Sequence, residues 1–138
     1  MSDVIILKKN DIIGYIELIK LCFGYETTLK QVNKMRKKYK TIIFKDEEKV
    51  IASALINNKY DYIKGVYIYE IDYFCVHPDY QRKGLATKLL EKIEIMAHNN
   101  NVSYITLTSS KKRVGAQKFY KKSGFEKKDT NVFFKEMK

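Results

Sequence analysis

The sequence predicts an α/β fold in one domain, residues 1–138, built on a sheet of mixed strand direction. Three observations carry this. The chain has 138 residues, 45% of them hydrophobic and 31% charged, with one proline and six glycines, which is the composition of a globular domain long enough to bury a core without disulfides. Its periodic segments run strand, two helices, three strands, helix, strand, helix, two strands. Finally, Val76-His77-Pro78-Asp79-Tyr80-Gln81-Arg82-Lys83-Gly84-Leu85-Ala86-Thr87 breaks an apolar strand at the sole proline and opens an amphipathic helix at a glycine.

Each element has a local reason. Val4–Leu7 is a short apolar run, and Asn10 or Asp11 can cap a helix whose apolar positions include Ile12, Ile13, Ile16 and Ile19. Gly24 ends that helix. Thr28 and Gln31 have capping-box spacing for a second helix, with Leu29, Val32, Met35 and Tyr39 along one side. Thr41–Lys45, the polar turn Asp46-Glu47-Glu48 and Lys49–Ile56 read as a hairpin, and 57–65 as a longer turn before the strand Val66–Val76. Leu85, Leu89, Ile93 and Met96 recur at helical spacing up to the stop Asn99-Asn100-Asn101. Val102–Thr108 is the next strand, Arg113–Lys122 a helix closed at Ser123-Gly124, and Phe125 and Val132–Phe134 read as closing strands. The terminal Phe133 and Phe134, with the tyrosine-rich strands, suit either a dimer interface or a core, which leaves monomer and homodimer both open.

Composition also bounds the partners. The 27 Lys and Arg against 16 Asp and Glu give a net charge of +11, and residues 111–138 alone hold ten basic residues against three acids. An anionic partner suits this balance, although lysines also serve simply as solubilising surface. No apolar run is long enough to span a bilayer, and the start lacks the pattern of a signal peptide, so a cytoplasmic protein without a membrane partner is expected. Cys22 and Cys75 fall in a predicted helix and a predicted strand, where free thiols are expected, and neither has metal-ligand neighbours at useful spacing, so no metal is expected.

The stretch from Val76 to Thr87 has the layout of an anion site. Free N–H groups at a helix start point outward with the positive end of the helix dipole, and a glycine admits a bulky anion close to the backbone. Gln81, Arg82 and Lys83 add donors there. A P-loop is excluded because Lys83 precedes Gly84 and the rest of that motif is missing, and a dinucleotide fingerprint because two of its three glycines are absent. Gln81-Arg82-Lys83-Gly84-Leu85-Ala86 instead resembles motif A of the GNAT superfamily of acyl-CoA-dependent N-acetyltransferases, a glutamine or arginine, two residues, glycine, one residue, then glycine or alanine. Val76-His77-Pro78 precedes it as in many members. Ala116-Gln117-Lys118-Phe119-Tyr120-Lys121-Lys122-Ser123-Gly124-Phe125 is similar to motif B, and the element order agrees over essentially the whole chain.

The resemblance implies a mixed, mostly antiparallel central sheet of six to seven strands, flanked by about four helices, with one parallel pair splayed apart. Between the splayed strands, here Val66–Val76 and Val102–Thr108, the family admits acetyl-CoA. It implies that the pyrophosphate sits on backbone N–H groups of Gln81, Arg82, Lys83, Gly84, Leu85, Ala86 and Thr87, with the pantetheine arm beside Phe74, Cys75 and Val76. Many members carry an asparagine where this chain has Arg113, which is expected to meet cofactor phosphate or to extend into solvent.

Acetylating an alkyl amine requires a base, since at pH 7 only about one part in a thousand is neutral, a gap of roughly 4 kcal/mol. Alternation in Val66–Val76 puts Glu70 and Asp72 on one otherwise apolar face, where partial burial would favour use as a base. Glu70, eleven residues before Gln81, has the spacing of the general base in histone-modifying members and is favoured over Asp72, which matches the acid of many small bacterial-type members. A β-bulge in this strand would shift the parity and part the two. Balancing nearby lysines is the plain alternative for either. Tyr120, four residues before Gly124, matches the tyrosine that protonates the leaving thiolate in the family, against a plain role packing beside Phe119. Cys75 has no histidine placed to activate it and is expected in the core. His77 and His98 are expected as surface residues, and tyrosines 60, 62, 67, 69 and 73 as either acceptor-pocket lining or strand formers.

The function expected is therefore direct acetyl transfer from acetyl-CoA to a primary amine in a ternary complex. A non-catalytic CoA-binding module would be expected to have lost the strand acids and Tyr120, and all three are present. A basic nucleic-acid-binding protein lacks any supporting signature. The acceptor amine is not specified, beyond a mild disfavour of polyamines by the +11 charge.

Overall fold

Three long strands, β2 (Lys40–Asp46), β3 (Lys49–Asp61) and β4 (Val66–Val76), carry the protein: β2 and β4 are rich in β-branched and aromatic residues, and β3 is buried from Val50 to Ile56. The computed structural model describes residues 3–137, in two compact units that divide between Thr108 and Ser109. In the first, a two-residue strand β1 (Ile5–Ile6) and the strand β5 (Val102–Leu107) complete a sheet of order β1-β2-β3-β4-β5, antiparallel except for the parallel β4–β5 pair. The expected six to seven strands are thus five among the described residues. Residues 125–137 form no strand, and Val132, Phe133 and Phe134 are almost fully exposed. A run of three apolar residues flanked by Thr130-Asn131 and Lys135-Glu136 is too short to hold a sheet place without a partner's ladder. The expected turn over 57–65 is also shorter: β3 continues to Asp61, whose carboxylate accepts from the backbone N–H groups of Ile63 and Lys64, each at 3.0 Å.

Helices cover both faces. On one lie α1 (Ile12–Phe23) and α2 (Leu29–Lys38), whose Tyr15, Leu18, Ile19 and Val32 form one core with Ile43, Val50 and Cys75. Ile13, expected in that core, is exposed, and Tyr15 and Leu18 supply the packing face instead. Gly14 lets α1 lie against the start of β3, since a Cβ there would stand 2.8 Å from Val50 Cγ2. The capping box of α2 forms as expected, Gln31 N donating to Thr28 Oγ1 at 3.1 Å and Thr28 N to Gln31 Oε1 at 3.2 Å. On the opposite face α3 (Leu85–Asn99) buries Leu85, Leu89, Leu90 and Ile93, and Asn100 just beyond it donates to the Tyr69 hydroxyl at 3.3 Å. In the second unit α4 (Val114–Lys122) is closed by Ser123 and Gly124.

Asp11 does not cap α1 with its side chain. It is buried and accepts from Lys8 N at 3.0 Å and Lys45 Nζ at 2.8 Å, tying the 3₁₀ turn Lys9–Asp11 to β2. The carboxylate beside it raises the Lys45 pKa above the ordinary lysine value, so this contribution is complete below that value and fades as pH climbs through the raised one. Asp11→Ala, which removes the carboxylate from Lys8 N and from the Lys45 ammonium, should cost about 2 kcal/mol in urea denaturation at pH 7. Lys45→Met should cost less, and the deficit of Asp11→Ala should shrink in strongly alkaline buffer.

Candidate active site

The β4–β5 pairing begins at Tyr67↔Val102 and ends at Ile71↔Leu107, whereas β4 itself runs on to Val76. Over 72–76 its strand neighbour among the described residues is β3 alone. The ladder ends where β5 itself ends, at Leu107, and β4 runs five residues beyond it with an edge whose backbone groups can pair with an extended ligand.

A bulge lies in the same stretch. Leu55 pairs with Asp72 and Ser53 with Cys75, so Tyr73 and Phe74 together oppose Ala54, and Tyr73 takes φ +50°. Because the bulge comes after both acids, it does not part them. Glu70 opposite Asn57 and Asp72 opposite Leu55 stay on one face, Glu70 half-buried and receiving a bond from Asn57 Nδ2 at 3.4 Å, Asp72 exposed. Phe74 and Cys75 are buried and Val76 is half-buried. The Val76 carbonyl accepts from Gln81 Nε2 at 3.3 Å and from the Cys22 thiol at 3.8 Å. A neighbouring Cys22 thiol and burial both push the Cys75 thiol pKa up, which keeps it protonated and unfit as a nucleophile.

From Val76 the chain passes through the 3₁₀ turn Pro78–Tyr80 into the loop that starts α3. Two left-handed residues, Arg82 at φ +62° and Gly84 at φ +79°, wrap this loop. A Cβ on Gly84 would meet nothing within 4 Å, so glycine is required there by backbone conformation and not by crowding. Gly84 caps α3 without any side-chain bond to the first-turn amides, which leaves those N–H groups of the first turn to an anion. Gln81, Arg82, Lys83, Gly84 and Thr87 are exposed around it, Ala86 is half-buried, and the Leu85 side chain points into the core, offering the loop only its backbone.

Tyr80 fixes the loop to the β2–β3 hairpin. Its hydroxyl donates to Asp46 Oδ2 at 2.6 Å, and that carboxylate raises the phenol pKa. Lys83 Nζ lies 5.2 Å and Lys49 Nζ 5.8 Å from its ring centroid, bringing two ammonium groups to the foot of the loop. His77, expected as a plain surface residue, is half-buried and structural: its Nδ1 accepts from Asp79 N at 3.1 Å and its ring packs edge-on to Tyr80. His98 is exposed on α3.

The tyrosines divide. Tyr60 stacks edge-on with Tyr62 and Tyr67 at the tip of the β3–β4 hairpin, and Tyr69 is buried toward α3. Tyr73 lines a cavity of about 400 Å³ on the α1–α2 side, where Tyr15, Tyr25 and Glu26 join it. These three were missed because the sequence places them in a helix and a loop some fifty residues from β4; an aromatic-acid pair just past the helix-ending Gly24 was the available signal.

In the second unit Tyr120 is buried in α4 between the rings of Phe119 at 5.6 Å and Phe125 at 5.9 Å. Arg113 stands exposed at the N-cap of that helix. Among the described residues no group of three or more His, Cys, Asp or Glu side chains can hold a metal ion, and no helix is long and apolar enough to cross a membrane.

The sequence profile of the acetyltransferase (GNAT) family matches residues 16–125. No curated protein sequence matches the chain. Among solved structures, a putative acetyltransferase from Agrobacterium tumefaciens str. C58 superposes with a TM-score of 0.88 at 14% identity, over 98% of this chain and 100% of that one. An aminoglycoside acetyltransferase from an uncultured soil metagenomic sample gives 0.87 at 16% identity, over 99% and 96%. The ribosomal-protein-alanine N-acetyltransferase of Brucella melitensis biovar Abortus 2308 gives 0.82 at 14% identity, over 99% and 100%. At these identities the likeness is one of fold.

Replacing Tyr80 by Phe removes the bond to Asp46 but keeps the ring. Backbone amides of 79–85 should then exchange with solvent severalfold faster, while those of α1 keep their rates; equal rates throughout would mean that Asp46 does not hold the loop.

Proposed function

This chain belongs to the acetyltransferase (GNAT) family, and we propose that it transfers acetyl directly from acetyl-CoA to a primary amine in a ternary complex. The observation that carries this reading is the unequal length of the parallel pair: β5 ends at Leu107 while β4 runs on toward the Gly84 loop. A pantetheine arm is an extended chain with two amides, which is what an open strand edge binds. At the far end of that edge, first-turn amides of α3 and the ammonium groups of Lys83 and Lys49 suit a pyrophosphate. Backbone groups of Phe74, Cys75 and Val76 would hold the arm, and Gln81 to Thr87 the phosphates. Arg113, at the start of α4, would meet a cofactor phosphate or extend into solvent.

The chemistry falls to three side chains in this reading. Glu70 or Asp72 takes a proton from the ammonium, and the nitrogen lone pair then attacks the thioester carbonyl. The carbon–sulfur bond breaks with its pair on sulfur, the Tyr120 hydroxyl supplies the proton that makes the free thiol, and the second proton that the nitrogen sheds on becoming an amide restores that hydroxyl. Glu70 is half-buried and hydrogen-bonded to Asn57, whereas exposed Asp72 adjoins the cavity through Tyr73. Several structural neighbours bear the names of enzymes acting on nitrogen acceptors, aminoglycosides and a ribosomal-protein alanine among them, which supports an amine without choosing one.

Acetyl-CoA at 100 times its dissociation constant should stabilise the chain by about 2.7 kcal/mol, read as a rise in melting temperature. Gly84→Glu should abolish that rise by placing bulk and negative charge where phosphate would lie. An unchanged melt of the native chain would remove the whole reading.

Glu70→Gln should lower kcat about 100-fold and flatten its pH dependence, with the acetyl-CoA melting shift retained. Asp72→Asn should do little; the reverse ranking would make Asp72 the base. Tyr120→Phe should slow turnover at least tenfold, and full activity would remove it as the acid.

A further inference from the structure

We propose that the amine accepted is a small primary alkylammonium on an aromatic body without a carboxylate, bound in the cavity beside Tyr73; this rests on the acetyl-transfer reading above. The cavity holds about 400 Å³, the size of a small-molecule site. Its walls are unlike the rest of the molecule. In a chain of 27 lysines and arginines none lines it, and Glu26 is its only charged residue. Three tyrosines, 15, 25 and 73, face it, and Ile19, Val32 and Met35 give it an apolar floor.

These walls define a ligand. Aromatic faces attract an ammonium through the ring quadrupole and stack against a flat apolar body. Tyr73 is held edge-on by Phe23 at 5.2 Å and Tyr25 at 6.4 Å, with interplanar angles of 88° and 86°. Its φ of +50° is a conformation that non-glycine residues adopt at some cost, sustained where surrounding structure enforces it. Glu26 supplies the counter-charge. It faces Lys20 at 3.2 Å with both side chains mostly exposed, an ion pair weak enough for a better-desolvated ammonium to replace. The neutral polar groups are largely committed elsewhere: Gln31 Oε1 accepts from the Thr27 hydroxyl at 3.4 Å and from Thr28.

The same walls exclude other amines. A free amino acid brings a carboxylate that would meet the Glu26 carboxylate, with the mostly exposed Lys20 on its outer side as the one neighbouring cation. A polyamine or amino sugar brings several ammonium or hydroxyl groups to a site with one carboxylate and apolar sides. Acetylation itself also favours release, because the neutral amide product loses both the ring attraction and the ion pair. Tyr73 follows Asp72 directly in β4, so an amine held there lies at the strand end where the arm of acetyl-CoA is assigned.

The test uses the full chain with phenethylamine, phenylalanine, spermidine and glucosamine as acceptors, following thiol release from acetyl-CoA, and titration calorimetry of phenethylamine alone. Phenethylamine should bind measurably and give the highest kcat/KM, with phenylalanine at least tenfold below it. Tyr25→Ala, at an exposed position, should raise the phenethylamine KM about tenfold while leaving the acetyl-CoA melting shift unchanged, and Glu26→Gln should raise it by a similar factor. Equal or better use of any of the other three amines, an unaltered KM in Tyr25→Ala, or no calorimetric binding of phenethylamine would each overturn the proposal. A missing acetyl-CoA shift is a separate failure, that of the acetyl-transfer reading; phenethylamine calorimetry still decides the cavity.

Discussion

Everything distinctive about this molecule follows from the way β4 ends. A strand in the middle of a sheet normally satisfies both edges along its whole length, because unpaired backbone groups in a dry interior cost about as much as a lost hydrogen bond. Here the ladder to β5 stops at Ile71 and the strand continues to Val76 with β3 beside it. The bulge at Tyr73–Phe74 sharpens the local twist just past that point. Such an arrangement persists because the rest of β4 is over-determined. Val66–Asp72 pair with β3 without a break, and Cys75 is locked into the core under α1. The strain is local and the support is extended.

That support explains why the loop after β4 can be built from backbone and not from packed side chains. Leu85 alone drops into the core and anchors the first turn of α3, while the residues before it remain exposed. What prevents them from behaving as a free loop is a set of polar ties: His77 N to the Ile51 carbonyl at 2.7 Å, Gln81 to the Val76 carbonyl, and Tyr80 to Asp46. The ties run back to β3, β4 and the β2–β3 turn, so the rigid sheet sets the loop's shape. Much of the +11 charge is spread over helix surfaces, but Lys49 and Lys83 are gathered on one ring. Local arrangement, more than net charge, makes the electrostatics of this end of the sheet specific.

The order of elements through α4, the span of β4, the capping box at Thr28 and the common face of Glu70 and Asp72 were all legible in the sequence. Each depends on period, on a turn residue or on a cap, which are local properties of the chain. The extent of β3 was not, since Asn57, Asn58 and Lys59 have poor strand propensity and are held by pairing with Tyr69, Ile68 and Glu70 across the hairpin. Nor was the exposure of Val132–Phe134, where hydrophobic residues suggested a strand that the described structure does not form. The bulge was anticipated as a possibility, but nothing in the sequence placed it after Asp72 and not between the two acids.

The contrast between the two halves of the candidate site has the same origin. A phosphate-and-amide ligand is met by backbone groups, and backbone geometry demands particular residues at fixed spacing, here Pro78 and Gly84, so the donor side is written along one short segment. The acceptor side is a cavity of side chains from α1, the loop after it, α2 and β4. Tyr15, Tyr25 and Tyr73 meet only because the helices fold over the sheet, and no spacing rule connects them. Neighbours that share the fold at 14–16% identity constrain the backbone far more than these walls. The acceptor must therefore be argued from the chemistry of this chain's own cavity, which one carboxylate and three aromatic rings line.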